Sequence, residues 1–341
     1  MKKWKLAFVL LFAIGVLTAC GINTTTKSAG DKVKKEKIVI GYFPNIDHVP
    51  AMVAREKGYY EQALGENFDI EYRTFPDGGT FMMALKSGDI DGGLVGPAPV
   101  MNNYASGADV KIVSGASSGG TAVVARANSG ITSIEDIEGK TFITPGIGCT
   151  HDVQFETFLQ QLGVDKLTSS RIGGTLKHVT GNPAQYQGMF ETGKVDLAAV
   201  PEPWASILTQ NGGKIIVSTD EIAYGKTLPN TVFVVNGSLF KEKKEVVKAL
   251  VEAQQQAVDF INSQPEQAQS IAIQSIKDLT KQEVDEEIIK QAMARITYTT
   301  EINENVLKDF AQSSFKLDFL KEDPNLDGLV EEHGDGSHVP M

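Results

Sequence analysis

The chain has 341 residues, 32 Lys+Arg against 43 Asp+Glu, a net charge of −11 and only two cysteines. That length and an apolar share of 41% can fill one large core or two medium ones. The acidic balance excludes a protein that tracks a phosphate backbone, and two cysteines exclude a disulfide scaffold or a Cys-rich zinc site.

The first 20 residues read as an export segment. Lys2, Lys3 and Lys5 precede an apolar run from Leu6 to Leu17. That run is too short to span ~30 Å of hydrocarbon but fits a signal-peptide core. Leu17-Thr18-Ala19-Cys20 resembles a bacterial lipobox, so 1–19 is expected to be removed and Cys20 to carry lipid. Cleavage would take three lysines and no acid, moving the charge from −11 to −14. Residues 20–36 are polar and read as a tether. Cys149 is then left without a partner, and no intrachain disulfide is expected.

From Lys37 onward strands and helices alternate. Strands are expected at Ile38–Tyr42, Asp69–Phe75, Ile90–Val95, Val110–Ser114 and Thr121–Ala125. Helices are expected at Pro50–Gln62, Thr80–Lys86 and Pro97–Ala105. A second block has strands at Thr141–Ile143, Val195–Val200, Lys214–Val217 and Thr231–Val235, and helices at His151–Leu162, Ala184–Glu191 and Trp204–Gln210. Helices then follow at Lys241–Asn262, Pro265–Ile276, Lys281–Arg295 and Asn303–Phe315. This rhythm predicts an α/β protein of two lobes, each a mostly parallel sheet flanked by helices. Lobe one is expected at 37–126 and 232–320, lobe two at 127–231, and a fraying tail at 321–341. Crossings near Val124–Asn128 and Asn230–Val235 would be the hinges.

One internal echo supports two lobes. Leu85–Val95 aligns without gaps with Phe190–Val200, each a helix end at Gly, an Ile/Val-Asp pair and a short strand. The loops that follow, Gly96-Pro97-Ala98-Pro99 and Pro201-Glu202-Pro203-Trp204, both offer Pro where a helix would begin. Ligands of open α/β sheets sit outside the carboxyl ends of strands, where these loops fall.

The five histidines form no HExxH, and there is no G-x-S-x-G, phosphate loop or GxGxxG turn. No catalysis, cofactor or metal is expected. Helix starts are the candidate sites: Asp77-Gly78-Gly79-Thr80 with Thr80 as N-cap, Gly96-Pro97, and Gly148-Cys149-Thr150. Free backbone N–H groups there suit an anion. His48 is either a ligand donor or an ordinary histidine, and Trp204 is either core or a platform. Glu202 either caps a helix or receives an ammonium. Cys149 is read as a small packing residue rather than a reactive thiol.

Ile38–Asn45 and Ala54–Tyr60 resemble the opening of substrate-binding proteins of sulfonate/taurine/nitrate ABC importers. Phe75–Gly79, Ala84–Asp91 and Val95–Pro99 are similar to that family's most specific block, and Ile134–Lys140 to the segment that opens its second lobe. The resemblance implies a periplasmic-binding-protein type II fold and a non-enzymatic, monomeric receptor. It also implies delivery of a small organic anion, an aliphatic sulfonate or taurine, to a membrane permease with a cytoplasmic ATPase. Its pocket would fall on Asn45, Gly78, Gly79, Thr80, Gly96, Pro97, Ala98, Ser117 and Ser118, and on Gly148, Cys149, Thr150, His151, Glu202 and Trp204. Asp152 departs from the sulfonate pattern by adding negative charge beside the anion site. Pro44–His48 also looks like members that bind pyrimidine precursors of thiamin, so a pyrimidine, nitrate, or a ligand sensor without transport are the alternatives.

Overall fold

The computed structural model describes residues 35–331. Cys20, the expected export segment, nearly all of the tether, His333 and His338 lie outside the described residues.

The order is β1 (Glu36–Tyr42), α1 (Val49–Lys57), α2 (Tyr59–Leu64), β2 (Phe68–Thr74), α3 (Gly78–Ser87), β3 (Gly92–Val95), α4 (Pro97–Ala105) and β4 (Val110–Gly119). Next come β5 (Thr121–Ala125), β6 (Thr141–Thr144), α5 (Thr150–Gln161), β7 (Lys177–Thr180), α6 (Tyr186–Glu191), β8 (Leu197–Pro201), α7 (Trp204–Gln210) and β9 (Lys214–Val217). The chain closes with β10 (Pro229–Asn236), α8 (Gly237–Glu242), α9 (Lys244–Ser263), α10 (Pro265–Thr280), α11 (Glu286–Met293), β11 (Ile296–Tyr298) and α12 (Glu304–Lys316). The single helix expected at Pro50–Gln62 is two, because Gly58 sits at φ +65° and ends the first with a left-handed cap.

Two sheets form, in the orders β11-β4-β10-β3-β1-β2 and β7-β6-β8-β5-β9. They are mixed rather than mostly parallel. β1 runs parallel to β2 and β3, and β6 parallel to β7 and β8. β10 runs antiparallel to β3 and β4, β11 to β4, and β5 to β8 and β9. The cause is where the chain crosses. β4 leaves the first sheet at Gly119, and β10 re-enters it at Pro229 beside Ser118, so the two must run in opposite directions.

The echo marks equivalent places. β3 and β8 each lie between a parallel neighbour and an antiparallel one. Crossing occurs earlier than expected: β5 belongs to the second sheet, and Gly119 and Gly120, at φ +83° and +84°, make the turn between sheets. Side chains with a Cβ adopt that backbone rarely, which explains the glycine pair. The return crossing lies at 218–228, before the expected Asn230–Val235, which is already strand.

α9 covers the first sheet with Val246, Leu250, Ala253, Ala257 and Ile261, buried at helical spacing. Part of the expected tail is also packed. Leu326 and Leu329 are buried, and Ile112 donates to Leu329 O at 2.9 Å and accepts from Glu331 N at 3.0 Å. Apolar residues spaced among acids hid that docking strand. Among the described residues, no helix is long and apolar enough to cross a membrane.

Candidate functional site

A cavity of about 80 Å³ lies where loops from both sheets meet. From the first sheet come Phe43, Asn45, Asp47 and His48 after β1, Phe75 to Gly78 after β2, Gly96 and Pro99 after β3, and Asn230 and Thr231 on β10. From the second come Pro145 and Cys149 to His151 after β6, Asn182 and Pro183 after β7, and Pro201 and Trp204 at the end of β8. All six parallel strands therefore point their carboxyl ends at it, as open α/β sheets do. A single water needs only ~10–15 Å³, so the space suits a small organic solute.

Of the residues expected in the site, Asn45, Gly78, Gly96, Cys149, Thr150, His151 and Trp204 line the cavity. Gly79, Thr80, Pro97, Ala98 and Gly148 stand beside wall residues without lining it. Ser117 and Ser118 are buried in β4, opposite Tyr298 and Thr297 of β11. Glu202 is fully buried and committed elsewhere: its carboxylate accepts from Ser206 N at 3.0 Å and pairs with Arg295. Asp152 faces away from the cavity and accepts from Gly148 N at 2.8 Å. The cap of α3 is Asp77, which accepts from Thr80 N at 2.9 Å, rather than Thr80.

Other wall residues were harder to foresee. Asn182 and Pro183 follow β7, whose polar sequence Lys-His-Val-Thr gave no strand signal. Asn230 did leave one: an amide just ahead of the apolar buried run Val232–Val235 of its strand.

The electrostatics are unusual for an anion site. Among the described residues, no Lys or Arg lines the cavity. α4 begins Pro-Ala-Pro, so two of its first three positions carry no N–H. The remaining one, Ala98 N, donates to Thr150 Oγ1 of the other lobe at 3.4 Å. α3 is capped by a carboxylate. The wall is instead rich in unsatisfied groups. Asp47 Oδ1, His48 Nδ1, Asn230 Oδ1 and both ring nitrogens of His151 are buried without a hydrogen-bond partner. The amide of Asn230 is fixed by donating to Gly119 O at 2.6 Å and Thr121 Oγ1 at 2.8 Å, which leaves its oxygen over. Burial holds the Asp47 carboxyl well above its usual range, and Glu202 nearby adds to this. Burial pushes the Cys149 thiol up to about 12, helped by Asp152, so it stays a protonated packing group.

Burial lowers His48 to about 3, with His151 nearby adding to this. Burial alone lowers His151 to about 3. An unfolded histidine titrates near ~6.5, so acid protonates the unfolded chain first. Stability associated with these neutral rings is full above ~6.5 and is lost as pH falls toward the folded value, at about 1.4 kcal/mol per pH unit per ring. Between pH 6.5 and 5 the wild type should therefore lose about 2 kcal/mol per histidine more than a His48→Gln/His151→Gln variant. Urea midpoints measure this, and equal slopes would show that the rings are not buried neutral.

Two α/β lobes with strand ends converging on a shared cavity define the periplasmic-binding-protein class of fold. The chain belongs to the NMT1-like family, whose profile matches residues 31–275. A Bacillus subtilis strain 168 protein, provisionally named aliphatic sulfonates-binding, is 27% identical over 241 residues, covering 68% of each chain. The taurine-binding periplasmic protein of Escherichia coli K12 is 25% identical over 230 residues, covering 65% of this chain and 68% of that one. The alkanesulfonate-binding protein SsuA of Xanthomonas axonopodis pv. citri, solved with MOPS, superposes with a TM-score of 0.72 at 19% identity, over 87% of this chain and 99% of that one.

Proposed function

We propose that the protein is the extracytoplasmic solute-binding subunit of an ABC importer, held at the membrane through Cys20 and handing its solute to a permease driven by a cytoplasmic ATPase. It acts as a monomer and performs no catalysis. Family membership, the names of the relatives and the interlobe cavity support this role. Its solute is a compact organic molecule bearing an amino group, and taurine fits best. The observation that carries this is the pair of buried, unpartnered acceptors in the wall, Asp47 Oδ1 and Asn230 Oδ1. An ammonium would satisfy both, and a buried acceptor left unmet costs ~1–3 kcal/mol. The sulfonate would sit against the first N–H groups of α5, at the positive end of a helix of 12 residues.

Titration calorimetry with taurine and ethanesulfonate tests the amino group. Taurine should bind at least about tenfold tighter, and Asp47→Asn should erase that preference. Affinity should rise with pH, because burial raises the Asp47 carboxyl and it must release its proton to meet an ammonium. Equal binding of the two sulfonates would overturn the assignment. A flat aminopyrimidine is the second reading, favoured by the ring surfaces of Phe43, Phe75 and Trp204 in the wall. Binding of a hydroxymethyl-aminopyrimidine with silence from both sulfonates would select it.

A further inference from the structure

A second cluster of chemistry-bearing residues lies in the second lobe, and none of its members lines the cavity. Asp152 and Glu156 stand one turn apart on α5, and His178 projects toward them from β7. Each offers one ligand atom, and the three atoms lie within 4.8 Å of one another. Both carboxyl side chains are 0% exposed and the His178 side chain is 6% exposed. Asp152 Oδ1, Glu156 Oε1 and His178 Nδ1 are all buried without a hydrogen-bond partner.

The rest of the cluster is committed. Asp152 Oδ2 accepts from Gly148 N at 2.8 Å, and Glu156 Oε2 accepts from Ser169 N at 3.1 Å. Thr144 Oγ1 has a single proton, aimed at Gly146 O at 3.1 Å. In the tautomer that completes this chain, His178 Nε2, 2.7 Å from that hydroxyl oxygen, carries the ring proton and donates it. This leaves Nδ1 with a bare lone pair, 3.7 Å from Asp152 Oδ1. Two carboxyl oxygens and one imidazole lone pair thus face each other in a buried space, an arrangement that costs free energy unless a cation or a proton joins it. Arg171 approaches one side only: its Nη2 is 3.5 Å from Glu156 Oε1, while its guanidinium covers the Phe319 ring.

We propose that Asp152, Glu156 and His178 form a divalent-cation site of the zinc class, which ties α5 to β7. One nitrogen and two carboxylate oxygens make a three-ligand set that zinc accepts, with water in the fourth position. Tetrahedral bonds of ~2.0–2.1 Å place donor atoms about 3.3 Å apart, so the Asp152–His178 separation needs only a small contraction. Thr144 fixes the tautomer from behind, as partners of metal-bound histidines do. The outer two residues lie 26 positions apart in the sequence, on a helix and on a strand without a strand signal, so no ligand spacing revealed the set.

The test is zinc titration of purified protein stripped with EDTA, read by calorimetry and thermal shift. Expected are one ion per chain, a higher melting temperature that EDTA reverses, and loss of affinity of about 100-fold or more in His178→Gln and Glu156→Gln. His48→Gln/His151→Gln, which empties the cavity wall of imidazoles, should bind zinc like the wild type. Crystals of the wild type grown with zinc should give an anomalous peak among the three side chains, a readout that holds even if a variant fails to fold. Absence of stoichiometric binding, or a peak or affinity loss that maps to His48 and His151, would overturn the proposal. So would unchanged zinc affinity in the folded His178→Gln protein, which would leave a shared proton as the occupant.

Discussion

Gly96→Ala is expected to cost the protein most of its solute affinity while both lobes stay folded. Gly96 caps α4 with φ −64° and ψ 146°, a backbone that any residue can adopt. Local strain is therefore not the issue. A Cβ there would run into Thr150 Oγ1 of the opposite lobe, with Thr150 Cβ at 3.3 Å and Asn230 O at 3.6 Å closing the remaining space. The hydrogen bond from Ala98 N to Thr150 spans the same gap. The added methyl excludes the closed arrangement, and apparent affinity falls with the closed fraction. A loss of about 100-fold, roughly 2.7 kcal/mol, is expected in calorimetry, with the urea midpoint nearly unchanged. Adding Thr150→Ala removes the clashing hydroxyl and should restore part of the loss. Wild-type affinity in Gly96→Ala would show that the lobes do not need this contact.

Arg295→Gln should destabilise the protein by about 3 kcal/mol, near the low end for breaking a buried pair because Arg295 keeps contact with water. Glu202 is buried completely between β8 and α7. Arg295 reaches it from just before β11, a strand of the first sheet, and also donates to Ser206 Oγ at 2.8 Å. The pair therefore joins the two lobes. Without the guanidinium the carboxylate keeps only its bond from Ser206 N and loses its counter-charge. Chemical denaturation of Arg295→Gln, Glu202→Gln and the double variant forms the cycle. The double variant should recover much of the loss, because a neutral amide tolerates that burial better than a lone charge. A loss below about 0.5 kcal/mol in Arg295→Gln would mean that water already satisfies Glu202.

Much of this architecture was legible because its signals are local. Pro97 at the first position of α4 and the short apolar run Ile215-Ile216-Val217 placed those elements at their observed ends. The echo between Leu85–Val95 and Phe190–Val200 placed two strands at equivalent positions in two sheets. What the sequence could not carry was direction. Asp152 and Glu202 both sit beside the expected anion site, yet one points to Gly148 and His178 and the other to Arg295. Side-chain orientation depends on neighbours such as Gly148 and Arg295, the latter 93 residues from Glu202. Strand polarity was hidden for the same reason, since β10 is antiparallel only because of where the chain returns. The crossing at Gly119-Gly120 was missed because glycines between two apolar runs read as strand ends.

The placement of β10 also bears on the order in which the protein matures. All five strands of the second sheet lie within residues 121–217, so that lobe can assemble from one continuous stretch of nascent chain. The first sheet cannot. Its β3 and β4 are not neighbours; both await β10, which is made more than 100 residues later. Until then each presents an open edge with unpaired backbone groups, the kind of surface that invites mispairing. The half of the protein synthesised first is therefore the last to be finished, and a chain stalled before Pro229 would hold one complete lobe and one unfinished sheet.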